Sequence, residues 1–221
     1  MSKLLNVSSS PHVRCGVSTK NLMYDVAIAM LPATIWGVMQ FGIYSLIVVV
    51  ATVLSCVLSE YLFETLMHKP VTISDGSALV TGMILGLNMP PAIPLWMPIL
   101  GGVFAIIVVK QLYGGLGQNW MNPALAARCF MLISFAQAMT KFTDPVTDAV
   151  ASATPLAAIK AGDTYDLAAM FIGKIPGTIG EVSVIALLIG AAYLLVKKVI
   201  TIRIPAAYIL SFAGFAFIFG Q

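Results

Sequence analysis

Apolar runs long enough to cross a lipid bilayer constrain this chain more than any other feature of its sequence. A membrane-spanning helix needs about 20 mostly apolar residues, because the hydrocarbon core is about 30 Å thick. Runs of this kind cover residues 21–39, 42–67, 76–91, 95–113, 123–140 and 181–196, and a seventh begins near 204. The sequence therefore predicts an all-α, polytopic membrane helical bundle.

The composition excludes an ordinary soluble domain. Charged residues make up 10% of the chain and hydrophobic residues 59%, and the mean hydropathy is +0.96. Globular chains carry about 25% charged residues, so most of this surface must face lipid. The formal charge of +3 is spread over loops rather than gathered into a basic stripe, so nucleic acid is not an expected partner. The scattered cysteines and histidines predict no metal site, and no catalytic residue is predicted.

The third run predicts an interrupted helix. Residues 76–91 form a run shorter than a membrane-spanning helix needs, and the run includes three glycines and Asn88 and ends in two prolines. Transporters place such interrupted helices at binding sites, and many are built from inverted repeats. The seventh run is still apolar at Gln221, so we expect a truncated chain that holds the first half and the start of the second half of a transporter-like fold.

Basic residues orient the bundle. If every run crosses, eight of them share the side of the amino terminus, and these are Lys3, Arg14, Lys20, Lys69, Lys110, Lys197, Lys198 and Arg203. The other side has Lys141, Lys160 and Lys174. Because cytoplasmic loops carry the excess of Lys and Arg, we expect a cytoplasmic tail over 1–20, about five spans over 21–140, an external loop over 141–180 and a second bundle beginning over 181–221.

Glycines and asparagines mark the connection between the fourth and fifth runs. Gly114, Gly115 and Gly117 favour a chain reversal, because glycine adopts positive φ without a steric cost. Their spacing does not match a dinucleotide-binding motif. Asn119 and Asn122 follow, and carboxamides both donate and accept hydrogen bonds. These two residues either shape the turn or bind the edge of a heterocycle at a broken helix.

Charged residues within the runs have a structural and a functional interpretation. Arg128 lies one or two turns into the fifth run, where it either extends to the membrane interface or binds in an internal ion pair or to an anionic ligand. Glu60 and Glu64 share one helix face. Together with Asp25, they are carboxylates at the interface or, alternatively, ligands on a path for Na⁺ or H⁺.

Four segments resemble a known family, in the order in which that family carries them. They are SPHVR at 10–14, SDGSALVTGMILGLNMPP at 74–91, GGLGQNWMNPALAARCF at 114–130 and D-x-x-x-S-A-T-P-L at 148–156. The chain is similar to the D subunits of the Rnf complex over nearly its whole length. The B subunits of the Na⁺-translocating NADH:quinone reductase are related, but they have a longer amino-terminal extension than the tail seen here.

The resemblance implies a redox subunit of a complex that passes electrons between ferredoxin and NAD⁺ and couples this to Na⁺ or H⁺ translocation. It implies an FMN esterified through its phosphate to Thr154 in the external loop. Asp148, Ser152, Ala153 and Pro155 are the surrounding positions. Family members often have S-G-A-T where this chain has A-S-A-T.

A second flavin also follows from the resemblance. Relatives hold a non-covalent riboflavin near the asparagines of the N-x-x-N-P-A-L stretch, which are Asn119 and Asn122 here, and Arg128 completes the candidate cofactor-binding set. The implied partners are the A, B, C, E and G subunits of the complex, a flavin transferase and the lipid bilayer. The implied location is the bacterial cytoplasmic (inner) membrane.

Two other functional classes remain as alternatives. A flavin-free channel or carrier for small solutes would also use broken helices around a midplane site. A purely structural assembly subunit would show neither flavin nor transport. A flavin spectrum that stays with the protein after denaturation distinguishes the redox subunit from both.

Overall fold

The computed structural model describes residues 18–143, 150–151 and 167–219, and most of these residues are helical. The helices are α1 (Thr19–Phe41), α2 (Ile43–Leu66), α3 (Ser77–Leu87), α4 (Trp96–Val103), α5 (Pro123–Ser134), α6 (Ala136–Met139), α7 (Leu167–Ile172), α8 (Val184–Val196) and α9 (Arg203–Phe219). Two short strands, Phe142–Thr143 and Val150–Ala151, pair antiparallel.

Three helical segments are long and apolar enough to cross a membrane, namely Thr19–Phe41, Ile43–Leu66 and Trp96–Tyr113. The third is α4 continued by π-helical turns over Phe104–Lys110 and a 3-10 turn over Gln111–Tyr113. The helices α3, α5, α8 and α9 are shorter and also apolar. The predicted membrane bundle is therefore confirmed. Apart from the short helix α7, which falls within residues 141–180, its helices match the predicted apolar runs to within a few residues.

Local sequence signals account for several helix ends. The Ser18 hydroxyl accepts a hydrogen bond from the Asn21 N–H and begins α1. Gly42, with φ of 81°, separates α1 from α2. Gly114, Gly115 and Gly117 all have positive φ, so the predicted chain reversal before α5 is confirmed.

The third span is interrupted, as the sequence predicts. With 1.5 Å of rise per residue, the 11 residues of α3 extend about 16 Å, roughly half of the hydrocarbon core. The helix packs tightly on α2, since a Cβ added at Gly82 would lie 2.6 Å from the Val53 Cα. After α3 the chain continues without a helix, and the Tyr44 hydroxyl donates to the Ile93 carbonyl over 2.8 Å.

A segment ahead of α8 closes the broken end of α3. The Ile179 N–H donates to the Met89 carbonyl over 3.1 Å, and the Gly180 N–H donates to the Leu87 carbonyl over 2.8 Å. Unpaired backbone groups are costly at membrane depth. These bonds supply partners for carbonyls that the interruption of the helix leaves free.

Lys20, at the start of α1, Lys110 and Lys197 lie at one end of the bundle, and we call it the lysine end. Lys110 pairs with Glu60 near the carboxyl end of α2. At the same end, Tyr193 near the carboxyl end of α8 donates to Asp25 over 2.9 Å. Met23 and Tyr24 of α1 lie against Gly76, which precedes α3. The helices α1, α3 and α5 therefore start at the lysine end, whereas α2, the extended α4 and α8 finish there.

Candidate functional site

The predicted attachment position of the covalent flavin is not among the described residues. Thr154, together with Asp148, Ser152, Ala153 and Pro155, lies outside them, in the part of the chain around the strand Val150–Ala151 and ahead of helix α7. These assignments stay predictions. The residues that the structure does describe are the two asparagines and Arg128.

Each asparagine uses one half of its carboxamide to hold the chain. The Asn119 Nδ2 donates to the Met121 carbonyl over 2.7 Å. The Asn122 Oδ1 accepts from the N–H groups of Ala124 and Leu125, at 3.0 and 3.4 Å, and so caps α5. Both interpretations offered by the sequence are therefore compatible with the structure, because each side chain shapes the turn with one atom and retains a second polar atom.

A small cavity brings both asparagines together with residues of α1, of α3 and of the extension of α4. It has a volume of about 150 Å³, and its polar lining includes Ser77, Lys110, Asn119 and Asn122. We call it the asparagine cavity. Pockets that enclose a whole drug-sized ligand measure about 300–1,000 Å³, so this cavity has room for one edge of a ring system.

Lys110 enters this cavity from a buried ion pair. Its Nζ lies 2.7 Å from the Glu60 Oε1, and the two side chains are 2% and 0% exposed. The same Nζ donates to the Ser77 hydroxyl over 2.5 Å. That hydroxyl donates to the Asp75 carboxylate over 2.6 Å. The ion pair thus ties α2, the start of α3 and the extension of α4 together at the lysine end.

Gln111 extends the network to a second carboxylate. Its Nε2 donates to the Oε1 of Glu60 over 3.0 Å and to the Oε1 of Glu64 over 3.1 Å. The backbone N–H of Thr72 donates to Glu64 over 2.9 Å. One oxygen of the buried Glu60 carboxylate, Oε2, has no hydrogen-bond partner among the described residues.

These contacts correct one expectation drawn from the sequence. The charge count places Lys110 in a cytoplasmic loop, but the residue is buried inside the bundle. Glu60 and Glu64, which the sequence leaves as interface carboxylates or as ligands on an ion path, are 0% and 2% exposed. The spacing of the two glutamates on one helix face is visible in the sequence, whereas the lysine that neutralises Glu60 is not.

A second cavity shares Asn122 with the first. It has a volume of about 440 Å³, an almost wholly apolar lining, and Tyr113 and Trp120 among its walls. The ring centroids of Tyr113 and Trp120 lie 6.3 Å apart. A ligand seated at Asn122 would therefore have a polar cavity on one side and an aromatic cavity on the other.

Arg128 does not line the asparagine cavity, and it contacts the end of α3 instead. Its guanidinium donates to the Asn88 Oδ1, and Asn88 is the residue that ends α3. A cation is favourable at the carboxyl end of a helix. Among the described residues no carboxylate lies within ion-pair distance of Arg128, so the internal ion pair that the sequence left open is not found there, and the guanidinium binds an uncharged amide instead. A cavity of about 460 Å³ adjoins Arg128 and Asn88.

Comparison with known proteins adds to this geometry. A profile described as the NQR2, RnfD, RnfE family matches residues 6–221. The chain belongs to this family. Within it, the chain is 47% identical to the D subunit of the Na⁺-translocating ferredoxin:NAD⁺ oxidoreductase complex of Acetobacterium woodii, over 98% of this chain and 70% of the relative.

Two further relatives in the family agree with this match. The D subunit of the proton-translocating ferredoxin:NAD⁺ oxidoreductase complex of Clostridium ljungdahlii is 40% identical over 93% of this chain and 66% of the relative. The D subunit of the ion-translocating oxidoreductase complex of Methanosarcina acetivorans is 31% identical over 97% of this chain and 69% of the relative. The resemblance to D subunits of the Rnf complex is thereby confirmed. The chain spans about two thirds of the length of these relatives.

Proposed function

We propose that this protein is the D subunit of an Rnf-type complex, a membrane flavoprotein that relays electrons between ferredoxin and NAD⁺ while the complex translocates Na⁺ or H⁺. The observation that carries the proposal is 47% identity along 98% of the chain to the D subunit of a Na⁺-translocating ferredoxin:NAD⁺ oxidoreductase complex. The helical membrane bundle supports it. The subunit is not catalytic alone, since the A, B, C, E and G subunits complete the complex.

The covalent cofactor is an FMN on Thr154. A flavin transferase uses FAD as donor, and the threonine oxygen forms a bond to the phosphorus of the FMN phosphate. The bond between the two phosphates breaks, AMP leaves, and the hydroxyl proton is released. The neighbours Ser152 and Ala153 are small, which suits access by the transferase, and a residue that precedes a proline, as Thr154 does, favours extended over helical conformations. Asp148 lies six residues earlier and helps the transferase recognise the loop.

The second flavin is a riboflavin bound without a covalent bond near Asn119 and Asn122. The support for this site is that both residues line a cavity and each has one polar atom without a hydrogen-bond partner among the described residues. The aromatic cavity next to Asn122 offers the apolar surface that a flavin ring also needs. When bound, the flavin supplies the redox chemistry, and the protein side chains orient it and exclude water.

The lysine end faces the cytoplasm in this proposal. Lys20, Lys69 and Lys197 lie in the segments at that end, whereas Lys141 and Lys174 lie in the segments at the opposite end, and cytoplasmic segments carry the basic excess. The loop with Thr154 then faces outward. The membrane is the bacterial cytoplasmic (inner) membrane.

The test of the redox proposal is the covalent flavin. Thr154→Ala should abolish the in-gel flavin fluorescence of this subunit in the assembled complex, and ferredoxin-dependent NAD⁺ reduction should fall to background. Thr147→Ala is the matched control, because it removes a hydroxyl from the same loop and should leave the fluorescence intact. Fluorescence that persists in the Thr154→Ala subunit would refute the assignment.

A further inference from the structure

The hydrogen bonds at the asparagine cavity leave a defined set of unused groups. Asn119 has committed its Nδ2 to Met121, which leaves Oδ1 as an acceptor. Asn122 has committed its Oδ1 to the start of α5, which leaves Nδ2 as a donor. The two asparagines therefore present opposite hydrogen-bonding characters, one acceptor and one donor.

Lys110 adds a second donor. An ammonium group has three N–H donors, and the structure uses one for Glu60 and one for Ser77. Lys110 lines the asparagine cavity and is 2% exposed. The third N–H of Lys110 is therefore the charged donor that the described residues leave at this cavity. The buried ion pair with Glu60 holds the ammonium group in place.

We propose that Lys110, Asn119 and Asn122 form a donor, acceptor and donor set that recognises the imide edge of a flavin, which is C2=O, N3–H and C4=O. The inference rests on the proposed riboflavin site and adds Lys110 to it as a specificity-determining residue. The imide edge presents an acceptor, a donor and an acceptor, so each of its groups meets the opposite character. The volume of about 150 Å³ suits one edge of the ring system.

The charge of Lys110 also makes the cavity bind a polar edge of the ring system in preference to an apolar edge. A buried donor that loses its partner costs more than the bond itself contributes. A ring edge that lacks the central N–H would leave the Asn119 Oδ1 facing an alkyl group. The same reasoning excludes the dimethylbenzene edge of the flavin from this cavity and assigns it to the aromatic side of Asn122.

The experiment uses the assembled complex after its non-covalent flavin has been removed. Three probes are titrated, and bound flavin is separated from the covalent FMN by acid extraction. The probes are riboflavin, 5-deazariboflavin, which keeps the imide edge, and N3-methylriboflavin, which lacks the N3–H. We expect the first two to bind with similar affinity and the third at least about tenfold more weakly, the loss that one unpaired buried acceptor produces.

Variants connect this selectivity to the residues. Asn119→Leu should weaken the binding of riboflavin, and it should leave little difference in affinity between riboflavin and its N3-methyl derivative. Lys110→Met combined with Glu60→Gln removes both buried charges together, so the variant is expected to fold, and it should weaken riboflavin about tenfold through the lost charged hydrogen bond. The matched control is Lys197→Met, which removes an exposed lysine from the same end of the bundle and should change nothing.

The outcomes separate this inference from the proposed function. Equal binding of riboflavin and N3-methylriboflavin, or an unchanged affinity in the double variant, would overturn the imide assignment while a flavin site at the asparagines stands. Failure of the complex to rebind any riboflavin would overturn the proposed second flavin itself. The inference would be supported if N3-methylriboflavin binds the unmodified complex more weakly than riboflavin does, and if this difference disappears in Asn119→Leu.

Discussion

Removing the charge of Lys110 should destabilise the bundle far more than removing any exposed lysine. In Lys110→Met, Glu60 would keep a carboxylate that is 0% exposed, and its remaining donor among the described residues would be the Gln111 amide. Breaking a buried ion pair by removing one partner costs about 3–5 kcal/mol. The Ser77 hydroxyl would also lose a charged donor 2.5 Å away. We therefore expect a loss of about 3–5 kcal/mol in the free energy of unfolding.

The double variant Glu60→Gln with Lys110→Met tests the cause. Replacing both members of a buried pair by uncharged residues is often nearly neutral, so the double variant should regain at least about 2 kcal/mol over Lys110→Met alone. Gln111 can still donate to the new amide oxygen at position 60.

The assay is equilibrium unfolding of the purified protein in mixed detergent micelles, titrated with SDS and followed by far-UV circular dichroism. Lys197→Met is the control, because Lys197 is 52% exposed and its Nζ lies 3.8 Å from Asp25. An exposed pair contributes about 0–1 kcal/mol. If Lys110→Met cost no more than Lys197→Met, or if the double variant were the least stable of the set, the buried-pair reasoning would be wrong.

Two further predictions concern packing and orientation. Gly190→Ala should cost about 1–3 kcal/mol in the same titration, because the added Cβ would overlap the Ala29 carbonyl oxygen and push α1 away from α8. Gly214→Ala, with no atom within 4 Å of its added Cβ, should cost nothing, and a loss equal to that of Gly190→Ala would contradict the close-packing argument. In a cysteine-free background, a membrane-impermeant maleimide should label Lys160→Cys in intact cells and label Lys198→Cys only after the membrane is opened; the reverse pattern would invert the proposed topology.

The sequence by itself determined the membrane bundle and the bounds of its spans. Length and hydropathy of a spanning helix are local properties, because lipid requires every backbone group to bond within the segment. The interruption after α3 was also visible, since glycines and two prolines lie close together within residues 76–91. Asn122 followed by Pro123 is likewise a local signal for the start of a helix. In each case, the residues that carry the information are neighbours in the chain.

Tertiary structure decided what the polar residues within the bundle contact. Lys110 and Glu60 are 50 residues apart, and Arg128 and Asn88 are 40 apart. From the sequence, Lys110 ends an apolar run and resembles any lysine at a membrane interface. It is buried because the extension of α4 passes alongside the carboxyl end of α2, where the carboxylate of Glu60 compensates its charge. A hydropathy pattern records how apolar a segment is, but the free energy of a buried charge depends on which opposite charge the packing of the helices brings beside it.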